Sequence, residues 1–291
     1  MLYGPNNEEM CIKKYLHFFL LCISLSCADD NTTIRIKGSD TEVNLAVELA
    51  ESFHHINSEV FVSISGGGSG LGIASLLNNT TDIANSSRSI KSQEINLFQQ
   101  KNASIDSFIF AQDAIAFVVA ASLPIDSIST QNLANILSGK FKDWKPLIGK
   151  NKPINIYGRQ SNSGTHDFVK QKLGIEFTPY AKQMNGNAQI LEALKTDDSG
   201  IGYVGTGYVT HQNKDIKVLT VYDKANAVAV SPLDARMIAA GRYYFQRPLF
   251  QYYKSDSYEK IKPFLDFEKG AMGQKIIQAS GYYPVNKTPW L

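Results

Sequence analysis

Arg159 stands four residues before Ser163-Gly164-Thr165, and the stretch leading into it, Lys152 to Tyr157, reads as a strand. A helix that starts at such a turn leaves its first backbone N–H groups unbonded and aimed outward, at the positive end of the helix dipole. Ser163 and Thr165 add hydroxyl donors, Gly164 lets a ligand approach the backbone, and Arg159 brings a fork of charged donors. That chemistry suits an oxyanion. The same residues also make an ordinary helix cap, because Ser-Gly-Thr caps many helices and a nearby arginine is commonly solvated. Two further strand-to-helix turns, Ser39-Asp40-Thr41 and Ser69-Gly70, repeat the pattern in the first half of the chain. Together with Arg159 they read as converging walls of a site for a tetrahedral oxyanion. Ser87 and Arg88 follow a short strand at 82–84 and offer a second candidate cation, with a salt bridge to a surface carboxylate as the competing role of Arg88.

Other chemistries fail on spacing. Gly66 to Gly72 lacks both the register of a dinucleotide-binding glycine motif and the lysine of a phosphate-binding P-loop. No G-x-S-x-G nucleophile turn is present. Ser163, His166 and Asp167 share one helical turn and cannot relay a proton in line. His54 and His55 are adjacent, so they point to different helix faces and make poor metal ligands. Tyr243-Tyr244-Phe245 suits core or hinge packing better than a cofactor box. The reading is therefore of a binding protein with no cofactor and no metal. A balance of 29 basic against 27 acidic side chains gives no cationic excess to displace counterions, which argues against nucleic acid.

The elements that must position these turns follow from periodicity. Residues 34–37 alternate as a strand, and apolar residues from Val43 to Phe53 recur at helical spacing. A strand at 60–64 runs into the glycine-rich turn, and a helix is expected from about Ile73 to Leu77. A long apolar strand is expected at 114–120, helices near 130–138, from His166 and at 188–195, and a buried strand at 200–205. The tail reads as a strand at 248–253 and helices at 257–268 and 270–279. Strands that run repeatedly into small polar turns and helices indicate α/β architecture, with ligands bound at the carboxyl ends of the strands.

All three cysteines, Cys11, Cys22 and Cys27, fall in the first 27 residues, so the body must hold together without disulfides. Lys13-Lys14, an apolar run from Tyr15 to Leu25 and then Ser26-Cys27 form the pattern of a secretory signal, about half the length a membrane helix needs. Glu8 and Glu9 are unusual ahead of such a segment and suggest Met10 as the start. A small residue directly before Cys27 resembles the lipobox of bacterial lipoproteins, although Ser24 stands where a large aliphatic residue is usual. On that reading Cys27 is lipidated and 28–33 is a tether; an ordinary signal peptide is the alternative.

Taken in order, Ser39-Asp40-Thr41, Ser69-Gly70, Asp82 to Arg88, Arg159 with Ser163-Gly164-Thr165, and Ile201 to Val204 resemble the PstS-type phosphate-binding proteins of bacterial phosphate ABC importers. Arg247-Pro248-Leu249, Phe264 to Phe267, Gly273 to Ile277 and Gly281 to Pro284 continue the likeness, which covers about residues 34–286. The resemblance implies a two-lobed, type II periplasmic-binding-protein fold with a double-crossover hinge and a cleft. Lobe one would be 28–113 plus 231–291, and lobe two 114–230. It implies an extracytoplasmic, non-enzymatic receptor in the periplasm or cell envelope, monomeric, that hands inorganic phosphate to an ABC permease. Ser39, Asp40, Thr41, Ser69, Ser87 and Arg88 would face Arg159, Ser163, Gly164 and Thr165 across the anion. Better-known members of the family place an aspartate, which accepts the phosphate proton, where this chain has Ser87. Asp40 is the candidate replacement, with Arg88 balancing its charge and a plain helix cap as its competing role. Another oxyanion (sulfate, molybdate or a phosphate ester) or a surface phosphatase are the other functions considered.

Overall fold

The computed structural model describes residues 32–209, 214–224 and 227–285. The expected signal segment and Cys27 lie outside the described residues. Alternation in Thr33–Gly38 (β1) buries Ile34 and Ile36, and the 3.6-residue stripe of Val43–Ile56 (α1) turns Leu45, Leu49 and Phe53 to the same core. Phe61–Ser65 (β2) then leads into Ser69–Leu77 (α2), which starts earlier than its apolar stripe suggests. Gly68 takes a φ of +99°, open to glycine, and turns the chain straight into that helix. Ile83–Ser86 (β3) is followed by Ser92–Gln100 (α3), where Phe98 is the one buried residue, too thin a stripe to mark the helix in the sequence.

Ile105–Ala120 (β4) begins well before the apolar run at 114–120 because its polar first part is a strand only through its pairing. After it come Ser127–Ser129 (β5), Thr130–Leu137 (α4), Lys145–Ile148 (α5), Asn155–Arg159 (β6) and Gly164–Leu173 (α6). Lys182–Met184 (β7), Asn187–Thr196 (α7), Gly200–Gly205 (β8), Ile216–Val218 (β9), Thr220–Tyr222 (β10) and Ala235–Ala239 (α8) follow. The chain closes with Gln246–Lys254 (β11), Tyr258–Lys269 (α9), Ala271–Ala279 (α10) and Tyr283–Pro284 (β12).

One sheet runs in the order β2-β1-β3-β11-β4-β8-β6-β7, with β9 and β12 added against β4. β1 and β3 are parallel, as are β8, β6 and β7, while β11 is antiparallel to both β3 and β4. β4 pairs β11 through Ile105 to Ala114 and β8 through Ile115 to Val119, so one strand belongs to both halves of the sheet. Each half has its own core. In the first, Ile34, Leu45, Ile83, Phe110, Leu249 and Phe264 pack on one face, and Ile73, Leu76 and Phe98 on the other. In the second, Ile115, Phe117 and Val119 alternate with Ala116 and Val118 toward opposite faces, the period-two signature of a strand buried on both sides. The architecture is mixed α/β, as expected.

Residues 235–245 were expected in the first lobe but pack on the second core. Ile238, Tyr243 and Phe245 lie with Phe117, the Tyr243 hydroxyl donates to the Ile115 carbonyl at 2.6 Å, and Phe245 meets Phe117 edge-on at 4.8 Å. The aromatic group at 243–245 thus serves packing.

Candidate functional site

The site is assembled at strand ends. At the end of β1, Gly38 lies so close to β3 that a Cβ there would sit 2.1 Å from the Asn85 carbonyl oxygen. That approach lets the Ser39 amide bond to the same oxygen at 2.9 Å and sets Ser39 beside the β3 exit. The Ser39 hydroxyl donates to Ser87 Oγ at 3.0 Å. The Ser87 amide donates to Ser69 Oγ, at the start of α2, at 3.1 Å, and the two hydroxyls are 3.4 Å apart. Three hydroxyls, from the turns that follow β1 and β3 and from the start of α2, therefore meet, all buried.

The N-terminus of α6, built on the second core, presses onto this group. A Cβ at Gly164 would fall 2.3 Å from Ser69 Oγ and 2.6 Å from Ser87 Oγ, so only glycine permits the contact. Thr41 Oγ1 and Thr165 Oγ1 share a hydrogen bond of 2.9 Å across the same boundary. Ser163 is the cap of α6, its hydroxyl accepting the Thr165 and His166 amides at 3.2 and 3.4 Å. His166 is held elsewhere, with Nδ1 3.1 Å from the Arg159 carbonyl and its ring stacked on Phe177.

Two buried guanidinium groups border the hydroxyls. Arg159, at the end of β6 and 2 % exposed, donates from Nη1 to Asp40 Oδ2 at 3.1 Å and from Nη2 to the Asn185 carbonyl at 2.9 Å. Burial lowers its pKa, and the Asp40 carboxylate opposes that shift. Asp40 Oδ2 also accepts the Asn187 amide and side-chain nitrogen at 2.9 and 2.8 Å, so three donors converge on one oxygen. Arg247, on β11, was not among the candidates. Its Nε and Nη2 donate to Asp113 Oδ2 at 3.0 and 2.7 Å, and its Nη1 to the Ser87 carbonyl at 3.0 Å. Nη2 also reaches Thr41 Oγ1 at 3.3 Å and Thr165 Oγ1 at 3.1 Å, touching a hydroxyl from each side. The available signal was phase: Arg247 alternates with Leu249 and Gln251 on the buried side of β11, and Asp113 is its direct partner on β4.

Arg88 is held by two carboxylates. Its Nη1 and Nη2 donate to the two oxygens of Glu94 at 2.8 and 2.7 Å, and its Nε lies 3.1 Å from Asp167 Oδ2. Arg88 thus forms salt bridges with both carboxylates. Glu42, also unforeseen, is fully buried with neither oxygen bonded, and burial pushes its carboxyl well above the usual range. Among the described residues no group of three His, Cys, Asp or Glu comes together as a metal site. The arrangement of hydroxyls, a helix N-terminus and guanidinium donors can hold a small anion and exclude water from it.

Comparison with known proteins agrees with that chemistry. The family model of the PBP superfamily domain matches residues 26–268. The phosphate-binding protein PstS of Borreliella burgdorferi is 27 % identical over 286 residues, covering 93 % of this chain and 98 % of that protein. PstS of Staphylococcus saprophyticus is 30 % identical over 241 residues, covering 82 % of this chain and 75 % of its own length. Among solved structures, an ABC-type phosphate transport receptor from Vibrio cholerae superposes with a TM-score of 0.68 at 26 % identity, over 86 % of this chain and 99 % of that one. A candidate phosphate ABC transporter substrate-binding protein from Clostridium perfringens, with bound phosphate, shares the fold at a TM-score of 0.79 and 24 % identity, over 87 % of this chain and 100 % of that one. With most of its length matched by the superfamily model and by the staphylococcal relative, the chain belongs to the PBP superfamily and, within it, to the PstS phosphate-binding proteins.

Proposed function

We propose that this chain is an extracytoplasmic receptor that closes two lobes on inorganic phosphate and delivers it to an ABC permease, without catalysing a reaction. One observation carries the reading. Hydroxyls and guanidinium groups from both cores meet at the buried N-terminus of α6, with Thr41 and Thr165 in direct contact. Ser39, Thr41, Ser69, Ser87, Arg159, Gly164 and Thr165 supply the anion-binding surface, Ser163 holds the helix start, and Arg247 joins them. Closure excludes water and strengthens each of these bonds, so the anion shifts the population toward the closed form. We draw the first lobe crossing near Ala114 and, from the packing of Tyr243 and Phe245, the second near residue 245 rather than 231.

Asp40 accepts the phosphate proton in this reading. Its three donors fall on Oδ2, and Oδ1 is the oxygen assigned to the ligand. A carboxylate acceptor rewards a protonated oxyanion and repels sulfate, which has no proton to give. Attachment is assigned to a lipid on Cys27; no helix among the described residues is long and apolar enough to cross a membrane. Fatty-acid labelling that survives Cys27→Ala contradicts this.

The test is equilibrium binding of labelled phosphate with excess sulfate as competitor, repeated on Asp40→Asn. Phosphate is expected to bind despite sulfate in the native chain, and the preference is expected to shrink in the variant. Displacement of phosphate by sulfate in the native chain overturns the phosphate reading in favour of another oxyanion. Undiminished preference in Asp40→Asn overturns the role of Asp40 alone.

A further inference from the structure

A second set of charges spans the two cores without touching the hydroxyl group. Glu94, in the first turn of α3, grips Arg88 with both oxygens and accepts the Lys91 amide at 2.8 Å. These residues belong with the first core, through Phe98 on the same helix. Asp167 lies on α6, two residues before Val169 of the second core. Its Oδ2 is 3.1 Å from Arg88 Nε and also pairs with Lys91 Nζ. The Arg88, Glu94 and Asp167 side chains are 6 %, 19 % and 13 % exposed, so their pairing is shielded from salt, whereas Lys91 is 37 % exposed.

The charge count gives these contacts a direction. Arg88, Lys91 and Glu94 together carry one net positive charge, and Asp167 carries the single negative charge that balances it. Arg88 and Glu94 both belong with the first half, so parting the halves would leave their pair intact and would separate Asp167 from Arg88 and Lys91. Within this set, the ion pairs to Asp167 are the ones that closure would make. Arg88 follows Ser87 directly, and Asp167 comes two residues after Thr165, so the set is tied to both walls of the site through the backbone.

We propose that Asp167, received by Arg88 and Lys91, is a closure lock: a positioning group that lengthens the life of the closed form without contacting the anion. It rests on the phosphate-receptor reading and differs in kind from the Asp40–Arg159 pair, which lies among the ligand-facing groups. Losing one partner of a shielded charge pair acts mainly on release. Asp167→Asn is expected to weaken phosphate binding roughly 10- to 100-fold, chiefly through faster dissociation. The preference for phosphate over sulfate stays the same. Lys91→Met, at a more exposed position that folding tolerates, gives a smaller change in the same direction.

The closing experiment measures those constants and, separately, the distance between fluorophores at Ile56→Cys and Tyr180→Cys in the full chain with its native cysteines changed to serine, without any anion. Both labelled positions are exposed. Asp167→Asn is expected to shift the distance distribution toward longer values. Unchanged release rate and distances, or an altered phosphate-to-sulfate ratio, overturn the lock, the latter because it places these residues on the anion. If the native chain binds no phosphate, the receptor reading fails while the anion-free distances still judge the lock.

Discussion

Changing Arg247 to methionine keeps most of the side-chain volume but removes its charge and five donor contacts. Asp113 then stays fully buried, with the Thr206 amide and hydroxyl on Oδ1 as its remaining donors and nothing opposite Oδ2. Removing one partner of a buried ion pair costs about 3–5 kcal/mol, because the surviving charge is uncompensated. In a chain of this length that corresponds to a melting temperature lower by roughly 10 °C. Urea unfolding followed by circular dichroism measures the loss. Arg247→Lys recovers only part of it, since one ammonium cannot serve Asp113, the Ser87 carbonyl and two threonine hydroxyls together. Arg247→Met combined with Asp113→Leu removes both charges and lies closer to the native stability than Arg247→Met alone. Phosphate affinity of the folded Arg247→Met protein also falls, by about 2–5 kcal/mol, because Thr41 and Thr165 lose their shared donor. A melting temperature within ~2 °C of native refutes the ion-pair reasoning. Lost stability with native phosphate affinity refutes the place of Arg247 in the site and leaves it a strut.

Three further outcomes are expected. Gly164→Ala puts a methyl group against Ser69 and Ser87, so closure is blocked and phosphate affinity drops at least ~100-fold while each core keeps its packing; near-native binding measured by calorimetry contradicts the contact. Arg159→Ala strips the guanidinium from Asp40 and, on the proposed reading, from the anion; a loss of binding below ~1 kcal/mol would place the anion elsewhere. Burial raises the Glu268 carboxyl from 4.5 to about 8, so the folded chain holds a proton there that the unfolded chain has released. That contribution is whole below pH 4.5 and is lost as pH rises to about 8. Urea-unfolding free energy therefore declines across this window, by at most ~1.4 kcal/mol per pH unit for each such carboxyl, Glu268→Gln flattens the slope, and an unchanged slope in that variant refutes the assignment.

Contiguous chemistry was legible in the chain, and distant partnership was not. Ser39, Ser69 and Ser163 stand where strands run into helices, and their turn positions could be read from the alternation before them and the apolar stripe after them. The same turns announced an α/β sheet. Arg88 is the contrary case. Ligand cation and salt bridge were equally open for it, because the carboxylates that claim it come from the next helix and from the far half of the chain. Arg247 and Asp113 are 134 residues apart, and an arginine beside a proline reads as surface until the strand's phase is taken seriously. In β11 the buried positions run through Arg247, Leu249 and Gln251. A polar residue on that phase must meet a partner from another element or give up its charge. Arg247 meets Asp113, and Gln251 donates to Glu268 at 3.0 Å. Glu42 is buried with neither oxygen in a hydrogen bond, and burial pushes its carboxyl well above the usual range against the pull of Ser39 and Arg247. Inward-phased polar residues in an otherwise apolar strand are thus a usable pointer to a site or its supports, and here they would have singled out Arg247 from the sequence.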